Sequence, residues 1–515
     1  MWTLGHKEHF AIIDIGSNTV RLVIYAKDQG GHFKEADNVK AVARLRNYLN
    51  EDHVLEEEGI KILLKTLKSF KEVTDTYNLQ QLLCVATATV RQAENQEEIL
   101  HRVEGEIGFS LRVLSEQEEA YYGYLAVVNS TSVEEGVTVD IGGGSTEVTY
   151  YENRQIKHSH SFPFGALSLK SMFVKNDMPT EQEMDKLKRY LTDQFLSLPW
   201  IKNKKVPLIG IGGSARNLVQ VDQALKSYPL SGVHQYKMQD NDIGFIKNYL
   251  LTLNFKKLQK VEGLSKDRAD IILPAIQVFQ TLYDVSQASS FVLSRKGLRD
   301  GVFYEELLRG VEIDRFPNVV EESFNEMAND FDIDLKHVQH VTDLSMEMFE
   351  QFRRNGIGHI TNDDKWLLKR AAFVFNLGDY IDSESSSQHT FYMLANRTID
   401  GLLHQDRLKL ALVASFKSKS IFKQYLEPYK HWFVKQEQKK LRMIGSLIKF
   451  AYSLDSTRRQ IVRDLTISFE KDEIVMDVTC DQESMPEEYQ VEKQKKHLEK
   501  SLKQKVTTNF YYVKG

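Results

Sequence analysis

The chain has 515 residues, 42% of them apolar and 27% charged, a globular composition that excludes a mainly disordered protein and a length that calls for three or four domains rather than one core. A formal net charge of −5 selects no partner, and the only two cysteines, Cys84 and Cys480, have no paired spacing, which argues against a disulfide framework or zinc site and for a reducing compartment. No run approaches the roughly 20 apolar residues of a membrane span, and the N-terminus lacks a basic stretch followed by an apolar core, so a cytoplasmic protein without a transmembrane segment is expected.

In chain order, FAIIDIGSNTVRLVIYA, from Phe10 to Ala26, reads as two β-branched runs joined by the turn Gly16, Ser17, Asn18. Helical periodicity follows at about 56–78, then a strand at about 81–86 and a short one near 111–114. Ser115 with Glu118 three residues on makes a capping box that opens a helix. Strand and helix therefore alternate, the signature of an α/β fold. VDIGGGSTEV, from Val139 to Val148, then repeats the opening grammar: apolar run, Asp, Ile, Gly, small polar turn, alternating run. Asp14 and Asp140 stand a domain length apart, which predicts two related halves that each offer an Asp-Gly turn to one cleft. A third glycine turn, IGIGGS through Gly212, Gly213 and Ser214, is expected to open a helix at Ala215. Past about residue 305 the pattern becomes helical up to about 460, with a boundary near VEIDRFPN, and strand character returns in a terminal α+β tail. The stretch 406–464 is rich in Lys and Arg, open to reading as a polyanion surface or as solvated helix faces.

The glycine turns suit phosphate chemistry. Bare backbone lets successive N–H groups converge on an anion, and the side chains of Ser17, Asn18, Ser145 and Thr146 add donors. Carboxylates beside such turns would repel phosphate unless a cation lay between, so Asp14, Asp140 and Glu147 make sense as direct or water-mediated ligands of Mg²⁺ or a similar hard ion. The competing reading of each turn is an ordinary tight turn, but two matched turns and a third at Gly212 are not required by turn geometry alone. Neither a P-loop nor a dinucleotide fingerprint is present. Arg91 follows a strand and a run of small residues, where its guanidinium could meet phosphate oxygens or serve in a surface ion pair. Glu118 is explained by the cap; Glu119, about 100° round the helix, is not.

The ordered set DIGSNTVRLVIY, ATATVRQAEN, SEQEEAYYGYL, DIGGGSTEV, FGALSL, IGGSARN, RADIILPAIQVF and SRKGLRDGVFYE closely resembles the exopolyphosphatase/guanosine pentaphosphate phosphatase family through about residue 305. The resemblance implies duplicated actin-like, ribonuclease H-like α/β domains at 1–125 and 126–308, then a helical His-Asp-type domain at 309–462 and a small α+β unit at 463–515. It implies Glu119 as the general base, Arg91 as a phosphate contact, phosphate-binding turns at Gly16, Ser17 and Asn18, at Gly142, Gly143, Gly144 and Ser145, and at Gly212, Gly213 and Ser214, and a divalent ion near Asp14, Asp140 and Glu147. The implied reaction is hydrolysis of terminal phosphoanhydrides of inorganic polyphosphate, with guanosine pentaphosphate as alternative substrate, a homodimer, and no nucleic-acid partner. An ATP-dependent kinase or ATPase of the same superfamily, or a silent sensor, are the readings from other classes. Two departures stand out. The family's usual RLGxGL loop is here Arg44-Leu45-Arg46-Asn47-Tyr48-Leu49, and Phe375 and Asn376 occupy the place of a His-Asp pair downstream of His340, so the helical domain is expected to be a scaffold. If substrate is a polymer, the basic 406–464 stretch would be its path.

Overall fold

The computed structural model describes residues 8–27, 33–239, 241–470 and 473–513, and the chain divides into two compact units, residues 1–228 with 233–322 and residues 229–232 with 323–515.

In the first unit the two β-branched runs become β1 (His9–Ile15) and β2 (Thr19–Lys27), followed by β3 (Phe33–Val42), β4 (Leu79–Ala86) and β5 (Leu111–Val113). Their sheet runs β3-β2-β1-β4-β5, antiparallel across the first three strands and parallel from β1 through β4 to β5. The second half supplies β6 (Gly136–Ile141), β7 (Thr146–Glu152), β8 (Gln155–Phe162), β9 (Leu208–Ile211), β10 (Lys237–Met238) and β11 (Phe291–Leu293), ordered β10-β11-β9-β6-β7-β8. Read from β8, three antiparallel strands again lead into two parallel additions. This is the duplicated α/β plan expected from the two matched motifs.

Both central strands are buried on two faces, as an interior sheet position demands. Ala11, Ile13 and Ile15 face one core, while Phe10 and Ile12 face another that also receives Ile209 and Ile211 from the second sheet. That shared core is filled by the helices Glu116–Val128 and Leu298–Arg309, through Tyr122, Leu125, Val302 and Phe303 among others. Gly301 is obligatory at their crossing, because a Cβ there would overlap the Tyr122 carbonyl. The capping box forms as read: the Glu118 amide donates to Ser115 Oγ at 3.2 Å, and the Ser115 amide donates to Glu118 Oε2 at 2.8 Å. The first long helix, Glu57–Thr74, is shorter than its periodicity suggested. Thr76 and Tyr77 donate to the carbonyls of Val73 and Thr74, three residues back, so the last turn tightens and releases the chain into β4.

The second unit is helical through Lys435–Leu454, with a core that includes Phe349, Phe352, Leu408, Ile444 and Leu447. Its tail forms β12 (Val462–Phe469), β13 (Glu473–Cys480) and β14 (Lys505–Tyr512), in that order across the sheet. The polar segment between β13 and β14 is the helix Met485–Leu502, which returns the chain for parallel pairing. Several cations of the basic stretch are held by acids, while Lys419, Lys423, Lys435 and Lys439 are exposed. Lys409 pairs with Glu437 at 2.9 Å, Lys440 with Asp364 at 2.7 Å and Arg459 with Glu487 at 2.8 Å. Arg463 donates to Asp481 at 2.6 Å, and Arg407 is fully buried. No helix among the described residues is long and apolar enough to cross a membrane.

Candidate active site

The two Asp-Gly turns are the same object built twice. In the β1–β2 hairpin Asp14 stands opposite Arg21 and Ile15 opposite Val20, and the Gly16 amide donates to the Thr19 carbonyl at 3.0 Å. In the β6–β7 hairpin Asp140 stands opposite Glu147 and Ile141 opposite Thr146, and the Gly142 amide donates to the Ser145 carbonyl at 2.9 Å. The turns also meet. A Cβ on Gly143 would lie 2.9 Å from Ser17 Cβ, and one on Gly144 would lie 3.8 Å from Ser17 Oγ and 3.9 Å from Arg46 Cδ. Behind the second turn sits FGALSL: the amides of Ala166 and Leu167 donate to the carbonyls of Gly142 and Gly143 at 2.9 and 3.1 Å. Gly165 has no room for a side chain, since its Cβ would fall 2.5 Å from the Gly142 carbonyl oxygen.

The third glycine segment differs from its reading. Gly212, Gly213 and Ser214 are not a turn ahead of a helix at Ala215; they are the first turn of the helix Gly212–Leu225. With no side chain at the first two positions the backbone can coil directly off β9, at a φ of 83° for Gly212. Its N-terminal N–H groups therefore carry the helix's positive end, and Asp140 lies against it: a Cβ on Gly212 would be 2.6 Å from Asp140 Oδ1.

Around these turns the structure gathers the predicted acids into one electrostatic neighbourhood. Burial pushes the Asp14 carboxyl up, against the pull of Arg299 and Arg21. Burial and the Asp14 charge push Asp140 up to about 6. Glu147 is driven well above the usual carboxylate range by burial, Glu119 and Asp140, although Ser161 Oγ donates to it at 2.9 Å. Burial, reinforced by Asp140 and Asp14, raises Glu119 to about 7 in spite of Arg91. Arg91 Nη1 donates to Glu119 Oε2 at 2.8 Å and to the Leu114 carbonyl at 2.9 Å. The two side chains are only 15% and 13% exposed. Arg91 Nη2 is buried without a partner, and so are both polar side-chain atoms of Asn18. An unsatisfied polar group in a packed interior is costly, and the two donors among these, Arg91 Nη2 and Asn18 Nδ2, would be met by the oxygens of a bound anion. Beside the pair opens a groove of about 440 Å³, lined by Arg91, Gln92, Gln117, Ser159, His160 and Ser161 among others.

A metal was expected at Asp14, Asp140 and Glu147. Among the described residues no three His, Cys, Asp or Glu side chains form a metal-holding group. Mg²⁺ does not need such a cage: it keeps several waters and takes one or two carboxylates together with substrate phosphates. The donor set fits that pattern, because each of these carboxyls is lifted by burial and two of them by a neighbouring carboxylate as well, an imbalance that a divalent cation would relieve.

Several basic groups at the site had no role in the sequence reading. Arg299 lies 3.6 Å from Asp14. Arg268 donates to Ser214 Oγ at 3.4 Å and covers Gly213, where any Cβ would strike its guanidinium. Arg46 donates to Gln92 Oε1 at 2.6 Å beside the second turn. Arg21, opposite Asp14, is held down to about 10 by burial and by the charges of Arg299 and Arg216. The segment that carries Arg268 is fastened to the first half by Lys40, 3.0 Å from Asp267, and by Arg44, which donates to the Asp267 carbonyl at 3.0 Å. In the other unit His340 does not stand in a metal group; His337 Nδ1 pairs with Asp455 at 2.8 Å.

Residues 23–310 match the model of the Ppx/GppA phosphatase family, and residues 319–505 match that of Ppx/GppA phosphatase domain III. A curated relative, the bifunctional 3-dehydroquinate synthase/phosphatase of Fusobacterium nucleatum, is 26% identical over 323 residues, which is 60% of this chain and 47% of that protein. The chain thus spans less than half the length of that relative. Among solved structures, a Ppx/GppA family member from Aquifex aeolicus is 29% identical with a TM-score of 0.53, covering 60% of this chain and all of that one (100%). An exopolyphosphatase from Cytophaga hutchinsonii shares the fold at 21% identity and a TM-score of 0.55, again over 60% of this chain and 100% of the other.

Proposed function

The chain belongs to the Ppx/GppA phosphatase family, and on that footing we propose that it is an exopolyphosphatase, which hydrolyses the terminal phosphoanhydride of inorganic polyphosphate and releases orthophosphate. The observation that supports this most is the Arg91–Glu119 pair: a carboxyl poised near neutrality, 2.8 Å from an arginine whose second nitrogen is buried and unsatisfied. In this reading Arg91 Nη2, Asn18 Nδ2 and the amides of the two matched turns hold the oxygens of the terminal phosphoryl group. The N-terminus of Gly212–Leu225 adds its dipole. Because the transferring group is loosely bonded at the transition state, positioning and charge neutralisation supply most of the acceleration. Glu119 accepts the proton of the attacking water, and Arg91 Nη1 fixes its carboxylate; such a base contributes a factor on the order of 10²–10⁴. A divalent ion at Asp14, Asp140 and Glu147, Mg²⁺ by the donor chemistry, would supply charge neutralisation for the leaving phosphate. The atoms balance simply: water adds oxygen to the terminal phosphorus, the bridging bond breaks, and a polymer one unit shorter departs.

The test is phosphate release by purified protein with Mg²⁺, on long-chain polyphosphate and on guanosine pentaphosphate in parallel. Faster turnover of the polymer is expected. Preference for guanosine pentaphosphate would move the assignment to a nucleotide 5′-phosphatase, and transfer of phosphate from ATP to an acceptor would move it to a kinase.

A further inference from the structure

The helical unit contains a cavity of about 250 Å³ that the phosphatase chemistry does not use. Phe375 and Asn376, the residues standing where a His-Asp pair was sought, line it, together with Tyr452, Ser456, Lys417 and Lys449. Its lining carries two lysines and two carboxylates, Asp379 and Glu384, and the lysines are crowded together. Lys449 Nζ donates to the Lys417 carbonyl at 2.6 Å. Burial, then Lys417 and Lys496, lower its pKa to about 8. His497 nearby is pushed down to about 4 by burial and by Lys449, Lys496 and Lys500. A half-buried ammonium beside further lysines is an unfavourable arrangement that a bound anion would relieve. Ser456 Oγ, in the same lining, is buried and without a partner.

The remaining lining has a different chemistry. The rings of Phe375 and Tyr452, 5.4 Å apart, contribute apolar surface to the lining, and the polar groups of the same lining, Asn376, Asp379 and Glu384, include acceptors for ring N–H groups. An inorganic polyanion would find no use for the aromatic faces and would be repelled by Asp379 and Glu384. A molecule that joins phosphates to a donor-bearing ring can use the lysines and the aromatic and acceptor groups alike. We infer that this cavity binds a nucleoside phosphate, with the phosphates on Lys417 and Lys449 and the base on the Phe375 and Tyr452 rings, its polar edge read by Asn376 and Asp379.

Trace acetylation with quantitative mass spectrometry reads this site without interference from the cleft, because it reports each lysine separately in the intact protein. ADP and inorganic tripolyphosphate are the probes. At an ADP concentration about ten times its Kd, labelling of Lys449 is expected to fall roughly tenfold relative to exposed lysines, in proportion to occupancy, while tripolyphosphate at the same concentration protects little. Calorimetry on Lys417→Met and Asp379→Asn is expected to show ADP binding weakened by roughly tenfold for the lost charged hydrogen bond in the first, and a smaller loss in the second. Unchanged Lys449 labelling at millimolar ADP would overturn the inference. So would equal protection by tripolyphosphate, which would make the cavity a polyphosphate subsite.

Discussion

Replacing Glu119 by Gln should stabilise the metal-free protein above neutral pH while leaving it nearly unchanged in mild acid. Glu119 is 13% exposed, and its carboxyl is raised from 4.5 to about 7, by burial first and by Asp140 and Asp14 in addition. A carboxyl whose folded pKa exceeds its unfolded value binds more protons in the folded state, so stability falls as pH rises between the two values. Each pKa unit is worth 1.36 kcal/mol, which makes the full penalty above pH 7 about 3 kcal/mol. The amide mimics the protonated acid and escapes it. Expected, therefore, is a Glu119→Gln protein about 2–3 kcal/mol more stable than wild type at pH 8 and within about 0.5 kcal/mol at pH 4.5. Since a chain of two units need not unfold in one step, the readout is amide hydrogen exchange of the helix Glu116–Val128 in the presence of a chelator. Equal destabilisation at both pH values would refute the reasoning: Glu119 would then matter as the ion-pair partner of Arg91, and its burial would carry no strain. The sign also bears on function, since a base held charged in a buried site is a stability cost that catalysis retains.

Three further outcomes follow from the same geometry. The kcat/KM of wild type should rise with pH through about 7 and then level, as the Glu119 base loses its proton; a profile flat from pH 5.5 to 8.5 would remove Glu119 from the base role. Mg²⁺ should raise the thermal midpoint more at pH 8 than at pH 5, because the lifted carboxyls of Asp140 and Glu147 must deprotonate to bind it; equal shifts would place the ion elsewhere. Gly165→Ala should cost about 1–3 kcal/mol and reduce kcat, because its Cβ would press on the Gly142 carbonyl oxygen from 2.5 Å; unaltered turnover would mean that the second turn does not need its backing.

Local signals were legible where the chemistry is local. The two hairpins follow from β-branched runs around small polar turns, and the cap at Ser115 singled out Glu119 by accounting for Glu118. What the sequence hid is long-range. Arg268 and Arg299 lie in motifs that carry the family resemblance, but nothing near them in the chain says that one covers Gly213 and the other faces Asp14. Arg46 looked like a departure from a glycine loop, and only the fold brings its stem beside Gly144. Gly212 and Gly213 read as a loop because glycine disfavours helix interiors, a penalty that weighs little in a first turn held against Asp140. Which cations of the basic stretch are already paired was hidden too, because the partners of Lys440, Arg463 and Arg459, namely Asp364, Asp481 and Glu487, come from distant segments.

The central claim is that Glu119, held by Arg91 beside two matched turns, activates water against a terminal phosphoryl group. Its most direct test is single-turnover phosphate release from long-chain polyphosphate with Mg²⁺ by wild type and Glu119→Gln, with polymer affinity measured on the same samples. The account predicts release slowed by roughly 10²–10⁴ at undiminished affinity. Release at the wild-type rate, or a loss explained wholly by weaker binding, would contradict it.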